Sequence, residues 1–264
     1  MDLGLKGKSV IITGGGSNIG RAIVLTFAEE GANITIGEID QAQGDKVAAE
    51  ARSKGAQVQM VKTDVTNLSE VQNLVKAAKD KFGTVDVLVN NVGWEKLQYF
   101  VETNPEFWTR VINMNYVSVL NCTKAVLDVM IPQNSGAIVS LSSDASRMGE
   151  MREAVYGGVK AAVNSFTKSI ARENGRYGIR ANTVCPGMTI PESQEDVGKL
   201  SMWKQDTPMW TDEQLAKVAK NYPLKKLGKP QDLAYAVAFM ASKRCAGHIT
   251  GQVISVSGGY SMVG

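Results

Sequence analysis

The sequence predicts an α/β protein in which a parallel β-sheet is covered by helices on both faces. Short runs of β-branched and aliphatic residues alternate along the chain with longer amphipathic runs, as strands and helices do in such folds. The first apolar run is followed by glycines and then by a helical pattern, a typical opening for this architecture. With 264 residues and 44% apolar content, the chain is expected to form one domain with a sizeable core.

Composition argues against several classes of partner. The formal net charge is +3 and no basic run stands out, so neither nucleic acid nor an anionic membrane surface is expected as a partner. No signal peptide or membrane-spanning run is expected, because no stretch approaches 18 consecutive apolar residues. Cys122, Cys185 and Cys245 lie far apart without metal spacing, which favours reduced thiols in a cytoplasmic protein. The single histidine, His248, is expected to be structural, and no metal site is expected.

The first predicted strand, residues 9–13, leads into a glycine-rich turn at 14–20 and a helix. Glycines let the backbone approach phosphates, and a helix N-terminus offers free N–H groups to an anion. A second strand at 33–37 ends at Glu38. An acidic side chain about 20 residues past the glycines can accept hydrogen bonds from an adenosine ribose, whereas it would repel a 2′-phosphate. Glu38 therefore favours NAD over NADP.

The rest of the chain continues the alternation. The pattern predicts further strands at 58–62, 85–89, 136–141, 178–184 and 251–256, and helices at 41–53, 68–82, 105–130 and 230–242. Asp64 follows the third strand and should face the ligand crevice at the carboxyl ends of the strands. Asn115 lies inside the helix predicted over 105–130. Because asparagine is disfavoured in a helix interior, its presence there calls for an explanation.

An irregular region at 188–229 interrupts the alternation and contains Met202, Trp203, Met209 and Trp210. An insertion at the ligand end of an α/β sheet is often a substrate lid. The alternative is a helical pair that only caps the core, and the residues alone leave both open.

Tyr156 and Lys160 lie four residues apart at the start of a helical pattern. Residues spaced i and i+4 share a helix face, so these side chains can meet. A nearby ammonium lowers the pKa of a phenol from its usual value near ~10. An ordinary pair of surface residues is the alternative when this stretch is taken alone.

In order, these motifs resemble those of the classical short-chain dehydrogenase/reductase family over nearly the whole chain. The turn at 13–20 resembles the family's T-G-x-x-x-G-x-G, residues 90–93 resemble N-N-A-G, and Tyr156 with Lys160 resembles Y-x-x-x-K. Further matches are Asp64, Asn115, Ser143 (13 residues before the tyrosine) and Pro186-Gly187. The chain departs from the pattern at Asn18, Val92 and Pro191. Asparagine tolerates the left-handed conformation that the missing glycine would adopt.

The resemblance implies a single Rossmann-like domain with a doubly wound, seven-stranded sheet, and an NAD-dependent enzyme that interconverts a secondary alcohol and a ketone. As a phenolate, Tyr156 would take the substrate's hydroxyl proton while hydride passes to the nicotinamide. Lys160 would lower the pKa of Tyr156 and hold the nicotinamide ribose. Ser143 would bind the substrate oxygen, and Asn115 would hold a water that connects Lys160 to solvent.

The resemblance and Glu38 together imply a set of cofactor contacts. These are Gly14, Ser17, Asn18, Ile19, Gly20, Glu38, Asp64, Val65, Asn91, Val92, Gly93, Tyr156, Lys160, Pro186, Gly187 and Thr189. A homotetramer, or at least a dimer, is also expected from the family.

For the substrate, Trp94 and the segments 142–149 and 153–156 resemble dehydrogenases of alicyclic or aromatic β-hydroxyacyl-CoA thioesters, of the 2-hydroxycyclohexanecarboxyl-CoA type. Such a substrate would contact Trp94, Ser143, Arg152, Trp203 and Trp210. Arg152, Lys199 and Lys204 would meet the CoA phosphates. The alternatives are a polyol or sugar substrate, a simple 3-oxoacyl thioester, and a catalytically silent member that serves as a scaffold.

Overall fold

The computed structural model describes residues 1–204 and 210–263, and its centre is a parallel sheet of seven strands in the order β3-β2-β1-β4-β5-β6-β7. The strands are β1 Ser9–Thr13, β2 Asn33–Glu38, β3 Val58–Lys62, β4 Val87–Asn90, β5 Gly136–Leu141, β6 Ile179–Pro186 and β7 Val253–Val256. This confirms the predicted α/β fold. The strand order reverses between β1 and β4, and a crevice for a ligand forms at the carboxyl ends of the strands beside such a point.

Helices cover both faces of this sheet. They are α1 Asn18–Glu29, α2 Gln41–Ser53, α3 Leu68–Phe82, α4 Pro105–Ile112, α5 Ser118–Gln133, α6 Ala145–Met148, α7 Ala154–Asn174, α8 Asp212–Ala219, α9 Pro230–Ala241 and α10 Lys243–Ala246. Successive residues of β1 point to opposite faces, so Val10 joins one hydrophobic cluster and Ile11 the other. The first cluster includes residues of α1, α2 and α9, and the second includes residues of α3, α5 and α7.

The helix predicted over 105–130 is interrupted. A π-helical turn, Asn113–Val117, lies between α4 and α5 and contains Asn115. The Asn115 side chain donates to the carbonyl of Val111 at 2.9 Å and to that of Trp94 at 2.7 Å. The turn therefore serves a tertiary contact, and π turns inside helices are frequent at functional sites.

Two strands begin two residues later than predicted. β4 begins at Val87 rather than 85, because the Gln133 side chain already bonds both the N–H and the carbonyl of Val85, at 3.1 and 3.0 Å. β7 begins at Val253 rather than 251, because Gly251 has a φ of 69°, which no strand residue adopts.

The region predicted as a lid packs first on the glycine turn. The backbone N–H of Gly198 donates to the Ser17 hydroxyl at 2.7 Å, and Lys46 donates to the carbonyl of Glu195 at 2.8 Å. Farther along, this region forms α8, and Met209 lies outside the described residues. Within the described chain, no helix has the length and apolarity that crossing a membrane requires.

Candidate active site

The glycine turn between β1 and α1 has the close backbone packing that the sequence predicts. A side-chain carbon at Gly20 would lie only 2.0 Å from the carbonyl oxygen of Gly14, so no other residue fits there. Asn18 adopts the expected left-handed conformation, with a φ of 47°. It is 7% exposed, and its Oδ1 has no hydrogen-bond partner in the described chain. A tight glycine turn that leads into a helix N-terminus fits a bound diphosphate group, because backbone N–H groups there can donate to the phosphate oxygens.

Glu38 ends β2 directly beside this turn. One carboxylate oxygen accepts the N–H of Gly16 at 2.9 Å, and the other accepts those of Ile39 and Asp40 at 2.9 and 3.2 Å. Burial raises the pKa of Glu38, and these hydrogen bonds oppose the rise. The carboxylate is thus fixed at the position where the adenosine ribose is expected.

The ends of β3 and β4 place further predicted residues at the same edge. The Asn91 amide donates to the carbonyls of Thr13 and Gly14 at 3.1 and 2.9 Å and ties β4 to the glycine turn. Asp64 accepts the N–H and the hydroxyl of Thr66 at 2.9 and 2.7 Å. Val65 is buried next to it, and Val92 lies against Gly14.

Three predicted residues lie at and after the end of β6, on the opposite side of the crevice. Pro186 ends the strand, and the N–H of Gly187 donates to the carbonyl of Val256 at 3.3 Å. Thr189 is buried and its hydroxyl donates to the Gly187 carbonyl at 3.1 Å. Ile19, the remaining predicted contact, packs against the first hydrophobic cluster.

Four predicted catalytic residues converge between these two sides. Lys160 is 2% exposed, and its Nζ donates to the carbonyl of Leu141 at 2.9 Å and lies 5.6 Å from the centre of the Tyr156 ring. Ser143 follows β5 and forms a hydrogen bond with Tyr156. A side-chain carbon at Gly93 would lie 3.0 Å from Asn115 Oδ1 and 3.3 Å from Lys160 Nζ. The glycine therefore lets the turn after β4 approach the lysine.

The pKa of Tyr156 departs from the expectation that Lys160 lowers it. Burial raises the pKa of the Tyr156 phenol, the charges of Glu95 and Glu153 raise it further, and the hydrogen bond with Ser143 opposes them. Burial also lowers the pKa of Lys160 to about 8, while Cys185 and Glu95 oppose this. The Lys160 ammonium is directed at the carbonyl of Leu141, and desolvation is the largest influence on the phenol, so the net shift in the pKa of Tyr156 is upward.

The side chain of Asn115 forms hydrogen bonds with backbone groups on either side of it. It is fully buried, accepts the N–H of Trp94 at 3.2 Å, and donates to the carbonyls of Trp94 and Val111. Both backbone polar groups of Trp94 are thereby fixed. We assign Asn115 first to positioning Trp94 and the residue that follows it.

Two acidic residues that act electrostatically on Tyr156, Glu95 and Glu153, were not among the predicted site residues. Burial and the charge of Glu153 raise the pKa of Glu95 to about 8, with Lys160 opposing. Burial and Glu150 raise the pKa of Glu153 to about 7. Their positions in the sequence could have identified them as site residues, because Glu95 directly follows Trp94 and Glu153 lies three residues before Tyr156.

The predicted substrate contacts are only partly brought to this site. Trp94 is half-buried, with the Arg110 guanidinium 3.9 Å from its ring centre, and it lines an open cavity of about 360 Å³ with Phe107. Arg152 is exposed, donates to the Leu97 carbonyl at 3.1 Å, and lies 5.7 Å from the centre of the Tyr99 ring.

The lid residues lie farther along the chain. Trp203 and Trp210 are half-buried on either side of 205–209, whereas Lys199 and Lys204 are exposed.

A second cavity, of about 500 Å³, lies at the amino ends of the strands beside Lys8, Arg180 and His248, and none of the predicted catalytic residues lines it.

Comparisons with known proteins agree with this geometry. A family model described as Enoyl-(Acyl carrier protein) reductase matches residues 14–261. A Staphylococcus epidermidis protein named 3-oxoacyl-[acyl-carrier-protein] reductase FabG is 36% identical over 258 residues, covering 97% of this chain and 99% of that protein. A 3-oxoacyl-[acyl-carrier-protein] reductase of Synechocystis is 32% identical, covering 98% of each. The solved structure of NAD+-bound xylitol dehydrogenase superposes with a TM-score of 0.86 at 29% identity, covering 97% of this chain and 99% of that one.

Proposed function

The chain belongs to the classical short-chain dehydrogenase/reductase family and is an oxidoreductase, and from this premise we propose that it uses NAD(H) to interconvert a secondary alcohol and a ketone. The observation that carries the proposal is the convergence of Ser143, Tyr156 and Lys160 beside Gly93, at the edge of the sheet that also holds the glycine turn. A catalytically silent scaffold would have no chemical need for this arrangement.

The choice of NAD over NADP rests on Glu38. Its carboxylate can accept both hydroxyls of a ribose diol and would repel a 2′-phosphate at the same place. The turn at 14–20 would hold the diphosphate, Lys160 the nicotinamide ribose, and the segment after β6 the nicotinamide end. The bound nicotinamide supplies or accepts the hydride, and the protein contributes position and electrostatics.

The protein's own part in the reaction is proton transfer at the substrate oxygen. With its pKa raised, Tyr156 holds its proton near neutral pH and is ready to donate it to the oxygen of a ketone. Ser143 donates a hydrogen bond to the same oxygen and stabilises the charge that develops there. The buried Lys160 ammonium lies close enough to favour the phenolate that remains. In the direction of alcohol oxidation, Tyr156 must first lose its proton.

For the substrate we place a simple 3-oxoacyl thioester first, because relatives at 36% and 32% identity are named for that reaction. None of the relatives named above is a CoA-thioester dehydrogenase, so the cyclic or aromatic β-hydroxyacyl-CoA takes a later place. A polyol is the second candidate, because the xylitol dehydrogenase structure matches this fold over nearly its whole length.

We also propose that 188–229 acts as a lid, that the protein is cytoplasmic, and that it assembles as a homotetramer or at least a dimer. The contact between Gly198 and Ser17 supports the first, because movement of this segment would open the glycine turn. The free thiols of the three cysteines support the second. Exposed apolar side chains on α4 and α9, Ile112 and Tyr235, support the third.

The test is NADH oxidation with acetoacetyl-CoA, a ketose and cyclohexanone as parallel substrates, for the wild type and for Tyr156→Phe. The proposal predicts turnover with at least one ketone, and loss of turnover in Tyr156→Phe with NADH binding retained. A wild type that binds NADH and reduces none of these ketones, or a Tyr156→Phe variant with near-normal kcat, would refute it.

A further inference from the structure

The helix that carries the catalytic tyrosine, α7, has a weak start. Tyr156 is the third residue of this helix, and Gly157 and Gly158 follow it directly. Glycine weakens a helix because it loses more backbone freedom on folding than any other residue. The residue before the helix, Glu153, forms no side-chain capping hydrogen bond within the described chain. The turn that carries Tyr156 must therefore be held in place from outside the helix.

The C-terminal segment, residues 257–263, holds the chain just before α7. The Tyr260 hydroxyl donates to the carboxylate of Glu150, whose Oε2 lies 3.1 Å away. The backbone carbonyl of Glu150 accepts the N–H of Glu153 at 3.2 Å and closes the turn that leads into the helix. The carbonyl of Glu153 in turn accepts the N–H of Gly157 at 2.7 Å. Tyr260 is thus linked through one short turn to the start of the catalytic helix.

The ring of Tyr260 also contacts the other side of the crevice. It stacks on the ring of Tyr222, with the ring centres 4.8 Å apart and the planes inclined by 19°. Tyr222 is buried, and its hydroxyl accepts the N–H of Met188 at 3.1 Å. Met188 lies between Gly187 and Thr189, two of the predicted cofactor contacts. Tyr260 therefore bridges the turn before α7 and the segment after β6.

Further hydrogen bonds fix the C-terminal segment on both sides of Tyr260. The carbonyl of Gly258 accepts the N–H of Leu224 at 3.1 Å. The Arg147 guanidinium donates to the carbonyl of Val263 and, at 2.7 Å, to the Ser255 hydroxyl on β7. Because these bonds lie before and after the tyrosine in the chain, they hold its ring at a defined place between the two sides of the crevice.

We propose that Tyr260 is a positioning residue, whose hydrogen bond to Glu150 and stacking on Tyr222 set the position of the Tyr156 phenol relative to the segment after β6. This inference rests on the proposed function and adds a residue to its site. Tyr156 must meet the substrate oxygen while the neighbouring carbon faces the nicotinamide, and small errors in such an alignment lower the rate strongly. Tyr260 acts through the two side chains that it contacts rather than on the reacting atoms.

The experiment measures reduction of acetoacetyl-CoA by NADH in variants of this one hydrogen bond. Tyr260→Phe keeps the ring stacked on Tyr222 and lowers kcat about tenfold, because the lost bond is to a charged group, while KM and the Kd of NADH change by less than about twofold. Glu150→Ala causes the same loss, whereas Glu150→Gln keeps an acceptor and retains kcat within about twofold of the wild type. Tyr177→Phe removes a phenolic hydroxyl just before β6, at the amino ends of the strands, and is the control that behaves as wild type.

Amide hydrogen exchange gives a second readout on the enzyme without cofactor or substrate. Exchange of residues 150–158 becomes about tenfold faster in Tyr260→Phe and in Glu150→Ala, since the turn before α7 opens more often, and it stays at the wild-type rate in Glu150→Gln. The double variant Tyr260→Phe/Glu150→Ala loses no more kcat than either single variant, because both changes remove the same bond.

The outcomes separate this inference from the proposed function. A Tyr260→Phe variant with wild-type kcat overturns the positioning role, even if its exchange is faster, because Tyr260 would then only stabilise the fold. Losses that multiply in the double variant also overturn it, and the reductase activity stands in both cases. A wild type that reduces no ketone refutes the proposed function, and the inference falls with it. Melting temperatures identify any variant with a general folding defect, and Glu150→Ala with Glu150→Gln gives the same comparison should Tyr260→Phe fail to fold.

Discussion

Replacing Gly93 with alanine tests whether the turn after β4 sets the position of Lys160. The added carbon would lie 3.0 Å from Asn115 Oδ1 and 3.3 Å from Lys160 Nζ, closer than ordinary van der Waals contact. Both neighbours are buried and hydrogen-bonded, so neither can move without weakening a bond. Overpacking of this kind costs about 1–3 kcal/mol. If about 2 kcal/mol of it falls on the geometry of the catalytic site, kcat falls about 30-fold.

The assay is steady-state reduction of the best ketone by NADH, together with urea unfolding of each variant. Gly158→Ala is the matched control, since Gly158 lies on α7 two residues after Tyr156. Apart from its chain neighbours and the nearby backbone of α7, a carbon added there meets no described atom within 4 Å. As a glycine-to-alanine change inside a helix, it is expected to stabilise the protein by about 0.5–1 kcal/mol and to leave kcat unchanged. A Gly93→Ala variant with wild-type kcat, or equal losses in the two variants, would refute the reasoning.

Three further predictions follow from the same contacts. Glu38→Ala lowers the preference for NADH over NADPH at least about tenfold, since it removes the carboxylate that repels a 2′-phosphate. Kd values of the wild type and the variant for both cofactors measure this preference. A wild type that prefers NADPH would contradict the prediction. Asn115→Ala releases Trp94 and lowers kcat/KM more than NADH affinity, which parallel turnover and binding measurements separate. Gln133→Ala removes its hydrogen bonds to Thr84 and Val85 and lowers the free energy of unfolding by roughly 1–3 kcal/mol with little change in kcat; an unchanged urea midpoint would contradict it.

Elements with local end signals could be predicted from the sequence to the residue. The α2 helix begins after Asp40, whose side chain accepts the N–H of Gln43, and α3 begins after Asn67, which accepts that of Ser69. Gly83 ends α3 in the left-handed conformation. Such caps depend only on neighbouring residues, so the chain alone reveals them.

The π turn at Asn115 and the late start of β4 could not be predicted, because both depend on distant partners. The Asn115 side chain bonds the backbone of Trp94. The Gln133 side chain bonds the backbone of Val85 in place of the hydrogen bonds that a neighbouring strand would form. Spacing predicted that Tyr156 and Lys160 meet, but it carried no information about desolvation, which reverses the shift in the pKa of Tyr156. Glu95 was missed for the same reason, since its burial depends on how the turn after β4 folds.

The central claim is that hydride passes between a nicotinamide and a ketone carbon held at Tyr156. The most direct measurement is reduction of acetoacetyl-CoA with NADH deuterated at C4, in separate reactions with each stereoisomer, followed by mass spectrometry of the 3-hydroxyacyl product. The account predicts that deuterium appears at C3 of the product from one stereoisomer and not from the other. Product formed without deuterium from either stereoisomer, or no product while NADH remains bound, would contradict it.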